Sequence, residues 1–424
     1  MEYTMGFGTK PQKVVIPDQT AVEVLLPNHP DHYPDEGAEL EKALDSPIGT
    51  ERLEELVKPG DRIVIVTSDM TRPMPTGRVL PHILTRLESA GVSPDQVTVV
   101  FALGSHRNHT REEKRQLLGA KYRDTLSCMD SGQNGFVHLG TTSFGTPVDI
   151  DKTVAEADVR ICLGNIEYHY FAGYSGGAKA IMPGVSTRQA IQANHRMMVN
   201  EKAAVGLIDD NPVRQDLEEA IKLCPIHFLL NVILSENKQI LRAFAGDYIQ
   251  AHREGCFALD GFYRRHIAKK ADIVIVSQGG APKDLNLYQT QKALDNAQLA
   301  VRQGGIIILV GACQEGMGEP HFEEWMTQAD TPEKLIERVS KEFVLGGHKA
   351  AAIAMTLRRA EIFLVSEMDE NLVRNIFMTP FSTLQQALEA ALQKIGQDAL
   401  VLLMPYGGST LPVLDRFAGP AQSR

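Results

Sequence analysis

Short apolar runs rich in Val, Ile and Leu alternate with amphipathic stretches along most of the 424-residue chain. Apolar runs of about four to eight residues are typical of buried strands, whereas longer periodic stretches indicate helices. The strands are predicted at 62–67, 96–102, 158–164, 227–234, 272–277, 306–311, 362–367 and 400–405. The helices are predicted over 76–90, 186–198, 247–268, 287–303, 332–343 and 383–395. This alternation favours the α/β class, with mainly parallel sheets flanked by helices.

The spacing of these elements divides the chain into two lobes. Beyond residue 271, strands and helices alternate compactly, which predicts a Rossmann-like domain over 271–408. The spacing is longer and less regular over 1–267, which we predict to be an N-terminal domain. A tail over 409–424 is expected to return to that domain. In a protein with two lobes, the cleft between them is the expected active site.

Composition narrows the range of partners. Lys and Arg number 43 against 53 Asp and Glu, giving a net charge of −10, so no general positive field attracts nucleic acid or a membrane surface. No apolar run approaches the roughly 18 residues of a membrane helix. The five cysteines form no CxxC pair, which argues against a disulfide framework and a thiolate zinc site. The first residues lack a secretory-signal pattern, so a reducing cytoplasm is expected.

Two predicted strands of the N-terminal half end in polar segments, SDMTRPMP and LGSHRNHT. Carboxyl ends of strands are where α/β proteins bind ligands. Arg72 could bind a carboxylate through two parallel hydrogen bonds, or it could stiffen the turn by pairing with Asp69. His106 and His109 could bind a metal or transfer a proton, and a purely structural histidine fits as well. No HExxH pattern supports zinc there.

The densest set of reactive side chains follows the strand at 158–164, in NIEYHYFAGYSGGAKAIMPGVSTRQAIQANH. Gly176 and Gly177 precede a helix start, where backbone N–H groups could cradle an anion, although the P-loop pattern is absent. Lys179 has apolar neighbours, and desolvation would lower its pKa and make it a nucleophile. The alternative is a lysine that neutralises a phosphate. The segment also contains His169 and His195.

A fourth polar segment, SQGGAPKDLNLYQTQK, joins a strand to a helix in the C-terminal half. Gln289 and Lys292 are three residues apart and should share a helix face, next to Tyr288. The later segment GACQEGMG also follows a strand, but it does not match GxGxxG and so gives little support to a dinucleotide-binding site.

Together, the motifs DxTRP, GSHR, HYFAGYSGGAKAIMPG, NH and YQTQK occur in an order that resembles the nickel-dependent lactate racemase family over most of the chain. The resemblance implies a racemase or epimerase that inverts C2 of a 2-hydroxy acid. It also implies a nickel-pincer nucleotide, derived from nicotinic acid, supplied by cofactor-biosynthesis enzymes and attached to Lys179 as a thioamide. His195 resembles the protein ligand of Ni(II), for which imidazole is a suitable donor.

The same resemblance assigns roles to the remaining candidates. His106 and His169 look like an acid/base pair on opposite sides of the substrate. Arg72 and Lys292 would hold the carboxylate and the developing oxyanion. Contacts to the cofactor are expected from Asp69, Tyr288, Gln289, Gly176 and Gly177. In the implied mechanism, one histidine takes the hydroxyl proton while hydride passes to the cofactor, and the resulting 2-keto acid is reduced from its other face.

The chain departs from the family pattern at one position. Lactate-specific members of the family have a tryptophan near the substrate, but the sole tryptophan here, Trp325, does not align with it. The nearest region contains His348 and Lys349, which could be a helix cap and a solvated lysine, or could accommodate a larger or more polar 2-hydroxy acid. Two other functions stay open: a zinc hydrolase or lyase using His106 and His109, and a non-catalytic protein that binds a carboxylate or nucleotide.

Overall fold

The computed structural model describes residues 1–28 and 32–415. The strands in these residues are β1 (Glu2–Met5), β2 (Gln12–Val15), β3 (Ala21–Val24), β4 (Ile63–Ser68), β5 (Val97–Ala102), β6 (Ser127–Asp130), β7 (Phe136–Thr141), β8 (Pro147–Asp151), β9 (Val159–Asn165), β10 (Tyr168–His169), β11 (Gly173–Tyr174), β12 (Phe228–Leu234), β13 (Ile240–Gly246), β14 (Arg264–Ile267), β15 (Ala271–Ser277), β16 (Val301–Val310), β17 (Ala360–Val365), β18 (Thr379–Phe381), β19 (Leu400–Met404) and β20 (Leu411–Leu414).

The α-helices in the same residues are α1 (Glu36–Asp45), α2 (Leu53–Leu56), α3 (Thr76–Ser89), α4 (Arg111–Leu118), α5 (Lys152–Ala155), α6 (Arg188–His195), α7 (Pro212–Ala220), α8 (Gln250–Tyr263), α9 (Leu287–Thr290), α10 (Lys292–Ala300), α11 (Pro320–Gln328), α12 (Pro332–Lys341), α13 (Gly347–Leu357), α14 (Glu370–Asn375) and α15 (Leu384–Ile395). Short 3-10 helices lie at Pro94–Gln96, Gly177–Ala180 and Arg196–Val199.

Backbone contacts divide the chain into two compact units. We call Pro30–Asp260 the middle unit, and Met1–His29 with Gly261–Arg424 the terminal unit. The division differs from the expected 1–267 domain at the N-terminus, because β3 pairs with β19 and joins the sheet of the terminal unit. This pairing joins segments far apart in the chain, which a local hydrophobic pattern does not reveal.

The expected tail over 409–424 is described as far as Asp415. Within it, β20 runs parallel to β14, with Arg264 opposite Leu411. Both strands belong to the terminal unit as the backbone contacts define it. The rest of the expected tail lies outside the described residues.

The middle unit contains a six-stranded sheet in the order β13-β12-β9-β4-β5-β6, in which only β13 runs antiparallel to its neighbour. Along the chain, β5 and β6 are added on one side of β4, and β9 and β12 are then added on its other side. The carboxyl ends of β4 and β9 therefore mark the point where the strand order reverses. Such a point is where open α/β sheets bind ligands.

The terminal unit contains a second six-stranded sheet, in the order β18-β17-β16-β15-β19-β3, and all its pairings are parallel. Here β15 is the strand from which the chain builds in both directions. The apolar faces of this sheet and of α15 form one continuous core. The arrangement confirms the predicted Rossmann-like character of the C-terminal half.

All eight predicted strands are present, as β4, β5, β9, β12, β15, β16, β17 and β19. Two helix predictions are wrong at their ends. The helix predicted over 247–268 ends at Tyr263, since Arg264–Ile267 pairs with β20 instead. The helix predicted over 287–303 is divided at Gln291 and ends at Ala300, where β16 begins.

Candidate active site

The loops after β4 and β5 bring Asp69 and His106 together. His106 Nδ1 lies 2.7 Å from Asp69 Oδ2. Thr71 Oγ1 lies 2.9 and 3.0 Å from the two carboxylate oxygens, and Arg72 donates a 2.9 Å hydrogen bond to the same hydroxyl. Burial raises the pKa of Asp69, but the hydrogen bond and charge of His106 outweigh it, so the pKa is lower than usual. The carboxylate thus stays ionised, holds the proton on Nδ1 and leaves Nε2 of His106 as the proton acceptor.

His109 lies three residues beyond His106 but has a different environment. Its Nδ1 lies 2.6 Å from Asp130 Oδ1, and its Nε2 accepts a 3.1 Å hydrogen bond from the Met70 N–H. Lys114 also pairs with Asp130, at 3.0 Å. Because hydrogen bonds occupy both ring nitrogens, His109 presents no lone pair to a metal. The predicted metal-binding alternative for His106 and His109 is therefore wrong, and His109 instead anchors the loop that contains Met70.

Three of the predicted site residues lie around the buried ring of Phe171. The ring centroid of Phe171 lies 4.5 Å from that of His169 and 4.8 Å from that of His195, both in edge-to-face geometry. Lys179 Nζ lies 5.8 Å from the same centroid. Sequence reasoning missed Phe171, although the aromatic run YHYF was a visible signal. The ring spaces the two imidazoles and the amine without adding a polar group of its own.

Lys179 lies in the 3-10 helix Gly177–Ala180, and its side chain is half-buried. Burial, followed by the positive charges of Arg214 and Arg72, lowers the pKa of Lys179 well below its usual value. Both effects disfavour the ammonium form. The uncharged amine is the nucleophilic form of lysine, so the local environment suits covalent attachment of a ligand.

The Gly176–Gly177 pair is explained by close packing. Gly176 has φ +73° and Gly177 has φ +61°. A Cβ atom at Gly176 would lie 2.6 Å from Asn231 Oδ1, and one at Gly177 would lie 2.9 Å from the ring of His252. The same Asn231 oxygen accepts a 2.9 Å hydrogen bond from the Gly177 N–H. That N–H is therefore already used and cannot contribute to the predicted anion cradle.

Arg214 holds the backbone that leads to this turn. Its fully buried guanidinium donates hydrogen bonds to the carbonyl oxygens of Ala172, Tyr174 and Gly176. A charged donor to carbonyl oxygens forms strong hydrogen bonds in a site that excludes water. Sequence reasoning missed Arg214, because one arginine in an ordinary amphipathic helix gives no signal.

In the terminal unit, three predicted site residues lie where α9 and α10 begin. Asn286 caps α9 by accepting a 3.1 Å hydrogen bond from the Gln289 N–H. Lys292 Nζ donates to Gln289 Oε1 at 2.6 Å, which confirms that the two side chains share a face. Tyr288 lies edge-on against Phe322, with centroids 5.6 Å apart. These helices follow the carboxyl end of β15, the expected side of the sheet for a ligand.

Trp325 is a core residue of the terminal unit and is 1% exposed. A Cβ atom at Gly347 would lie 2.4 Å from its indole, so Gly347 allows the start of α13 to pack on the ring. The Arg338 guanidinium lies over the indole, 4.3 Å from its centroid. Trp325 thus supports α13 through packing.

His348 and Lys349 begin α13 and are both buried. His348 Nδ1 accepts a 3.1 Å hydrogen bond from the N–H of Gly346, which is itself the N-cap residue of α13. Burial, with a smaller effect of Lys349, lowers the pKa of His348 to about 3. Lys349 is 7% exposed, so the solvated-lysine alternative is wrong. Burial has the larger effect on the pKa of Asp295 and raises it to about 6. The positive charges of Lys349 and Lys292 have the opposite, smaller effect on that pKa.

Over 1–28 and 32–415, no three His, Cys, Asp or Glu side chains are grouped to hold a metal ion. None of the helices in those same ranges has both the length and the apolar character needed to cross a bilayer.

Comparison with known proteins identifies the family. The model of the lactate racemase N-terminal domain matches residues 7–206, and that of the lactate racemase C-terminal domain matches residues 267–411. The chain belongs to the lactate racemase family. Members of this family are isomerases, and the chain is an enzyme of that class.

Individual lactate racemases are similar along most of their length. The lactate racemase of Thermoanaerobacterium thermosaccharolyticum is 34% identical over 382 residues, which cover 88% of this chain and 89% of that protein. The lactate racemase of Lactiplantibacillus plantarum is also 34% identical over 382 residues, covering 87% of this chain and 89% of that protein.

Solved structures agree with the fold. The lactate racemase apoprotein from T. thermosaccharolyticum superimposes with a TM-score of 0.89 at 31% identity, covering 97% of this chain and all of that one. A protein from Thermotoga maritima has a TM-score of 0.64 at 16% identity, covering 90% and 98% of the two chains, which shows a shared fold alone.

Proposed function

We propose that the chain inverts the C2 stereocentre of a 2-hydroxy acid, with lactate as the first substrate to test. The observation that carries the proposal is a pair of histidines held in opposite tautomers. Asp69 accepts a hydrogen bond from His106 Nδ1, so Nε2 of the neutral ring is a proton acceptor. His169 Nδ1 accepts a 3.2 Å hydrogen bond from the Ala172 N–H, so its proton lies on Nε2.

A pair suits a racemase in which the α-hydrogen leaves as hydride, because the hydroxyl groups of the two enantiomers lie on different sides of the substrate and each needs its own proton acceptor or donor. In this arrangement Nε2 of His106 can accept the hydroxyl proton of one enantiomer, and Nε2–H of His169 can donate to the oxygen of the 2-keto acid. The ionised Asp69 also stabilises the imidazolium that forms when His106 takes the hydroxyl proton. His169 donates a proton from Nε2 to the oxygen of the opposite enantiomer, and in the reverse direction Nε2 accepts that proton back.

The residues present fit the nickel-pincer nucleotide that the family resemblance implies. Lys179 has the lowered pKa that an attachment lysine requires. His195 Nδ1 lies 2.9 Å from Asn194 Oδ1, the kind of contact that orients a metal-binding histidine, and Nε2 is the nitrogen that would bind the metal. Because the described residues contain no three-donor metal group, other donors would have to come from the cofactor. When bound, the cofactor supplies an acceptor for the α-hydrogen as hydride, which no side chain provides.

Each unit contains an exposed cation that suits a substrate anion. Arg72 is exposed and uses one nitrogen, Nη1, to hold Thr71, so its remaining N–H groups can bind a carboxylate. Lys292 is also exposed, and Gln289 restrains its ammonium group. Neither contact requires the substrate to be lactate, so a larger 2-hydroxy acid could bind in the same way.

The proposal is tested by producing the chain together with cofactor-making enzymes and measuring its intact mass and its turnover of D- and L-lactate. We expect a covalent adduct on wild-type protein and none on Lys179→Ala. The matched control is Lys202→Ala, which removes an exposed lysine of the same unit that pairs with Asp210. The control should retain both adduct and turnover.

Three outcomes would contradict the proposal. One is an adduct that survives Lys179→Ala. Another is loaded protein that binds 2-hydroxy acids, over a panel with lactate, malate, phenyllactate and aldonates, without racemising any of them. The third is wild-type protein that, after production with the cofactor-making enzymes, contains zinc in place of nickel and has no adduct.

A further inference from the structure

Asp216, on α7, is a fully buried carboxylate that contacts three donors from other elements. Thr142 Oγ1 donates to its Oδ1 at 2.5 Å, and Thr146 Oγ1 donates to its Oδ2 at 2.7 Å. Both threonines lie in the turn between β7 and β8 or at its edge. Asn194 Nδ2, from α6, also donates to Oδ2 at 2.7 Å. The carboxylate therefore holds together α6, α7 and the turn between β7 and β8.

This contact fixes which way the Asn194 amide faces. A carboxylate only accepts hydrogen bonds, so the amide group that meets Asp216 must be the NH2. The same NH2 donates to the carbonyl of Val213 at 3.2 Å. The amide oxygen is thereby turned toward His195, where it lies 2.9 Å from Nδ1.

The direction of that last hydrogen bond sets the state of the imidazole. An amide oxygen only accepts, so His195 Nδ1 must carry the proton. In the neutral ring, Nε2 then carries the lone pair. Histidines that bind metals commonly donate their other ring N–H to an oxygen acceptor in this way, which fixes both tautomer and orientation.

We propose that Asp216 is a positioning residue that acts through Asn194 to hold the proton of His195 on Nδ1 and to present Nε2 for metal binding. Asp216 touches neither substrate nor cofactor in this assignment. The link to the metal rests on the proposed function, whereas the tautomer of His195 does not.

The first measurement uses the unloaded full-length protein. Long-range 1H–15N NMR of 15N-histidine distinguishes the two neutral tautomers, and the spectrum of His195→Gln assigns the signal. We expect wild-type His195 to carry its proton on Nδ1. In Asp216→Ala the amide of Asn194 is no longer fixed, so the signal should shift toward the Nε2–H form that free imidazole side chains prefer in water.

Glu219 provides the matched control, because it lies on the same helix and accepts hydrogen bonds from Ser143 in the same turn. Glu219→Ala should leave the His195 signal unchanged. Asn194→Ala removes the direct contact and should shift the signal as Asp216→Ala does, so the test survives if one variant fails to fold. The proposal is overturned if the Nδ1–H form persists in the folded variants, or if Glu219→Ala shifts the signal equally.

The second measurement uses protein produced with cofactor-making enzymes. Asp216→Ala should retain the mass adduct on Lys179 but bind nickel about 10- to 100-fold more weakly, the usual effect of losing a hydrogen bond behind a metal ligand. Retention of wild-type nickel affinity would overturn the proposal. If no adduct forms even on wild-type protein, the proposed function fails while the tautomer result still stands.

Discussion

The middle and terminal units share a sheet topology but hold their histidines in different ways. In each sheet a central strand, β4 or β15, has strands that come later in the chain on both of its sides. In the middle unit, buried carboxylates orient histidines near the carboxyl edge: Asp69 with His106, Asp130 with His109, and Asp216 with His195 through Asn194. In the terminal unit, His266 pairs with Asp415 and His321 pairs with Glu319 at the surface. The sheet determines where the histidines lie, whereas their buried hydrogen-bond partners determine which chemistry each histidine can perform.

The strongest test of this comparison is His106→Ala against His266→Ala. Loss of His106 removes a proton acceptor held by a buried carboxylate, so racemisation should fall by about 10²- to 10⁴-fold. His266 is 65% exposed in its side chain, and its loss should leave turnover unchanged. Rates in both directions are measured on cofactor-loaded protein. Full turnover in His106→Ala would show that the orienting carboxylate has no catalytic purpose.

A second test separates catalysis from architecture inside the middle unit. His109→Ala removes two ring hydrogen bonds and leaves the buried Asp130 with only Lys114 and the backbone N–H of residue 109. The free energy of unfolding should fall by about 2–4 kcal/mol. The matched control is His138→Ala, whose contact with Asp149 is at the surface and should contribute under about 1 kcal/mol. Urea unfolding of the unloaded protein measures both. Equal losses would mean that burial of the carboxylate is unimportant.

The third test concerns the cost of burying Lys179. Its pKa is lowered in the folded protein, so between that pKa and the ordinary value of 10.5 the unfolded chain binds a proton that the folded protein does not. Stability therefore rises with pH across this window. Lys179→Met should stabilise the unloaded protein by about 0.5–2 kcal/mol at pH 7, and the gain should vanish near pH 10.5. Melting temperatures over a pH series check this, and a gain independent of pH would contradict it.

The smallest expected effect is that of His348→Ala in the terminal unit. Its Nδ1 accepts a hydrogen bond from an uncharged backbone N–H, whereas His109 pairs with a carboxylate. We expect a loss of about 1 kcal/mol, the net contribution of an ordinary hydrogen bond. A loss as large as that of His109→Ala in urea unfolding would remove the distinction between the two units.

The strands and the motif residues could be predicted because their signals are local. A run such as IVIVTS is apolar wherever it lies, and a buried strand needs little more. Helix ends were less predictable, since Arg264–Ile267 became a strand only through pairing with Leu411–Leu414. Phe171 and Arg214 were missed for a similar reason, because their roles depend on neighbours that the linear order does not give.

The α/β class, the eight principal strands, the membership of the lactate racemase family and the identities of the reactive side chains follow from the order of the residues. Only the folded chain shows that β3 joins the terminal sheet, that hydrogen bonds occupy both ring nitrogens of His109 while Asp69 holds Nδ1 of His106, and that Asp216 orients Asn194. The physical reason is that periodicity and motifs are properties of neighbouring residues. Tautomers, pKa shifts and strand partners depend on groups that folding brings together from distant parts of the chain.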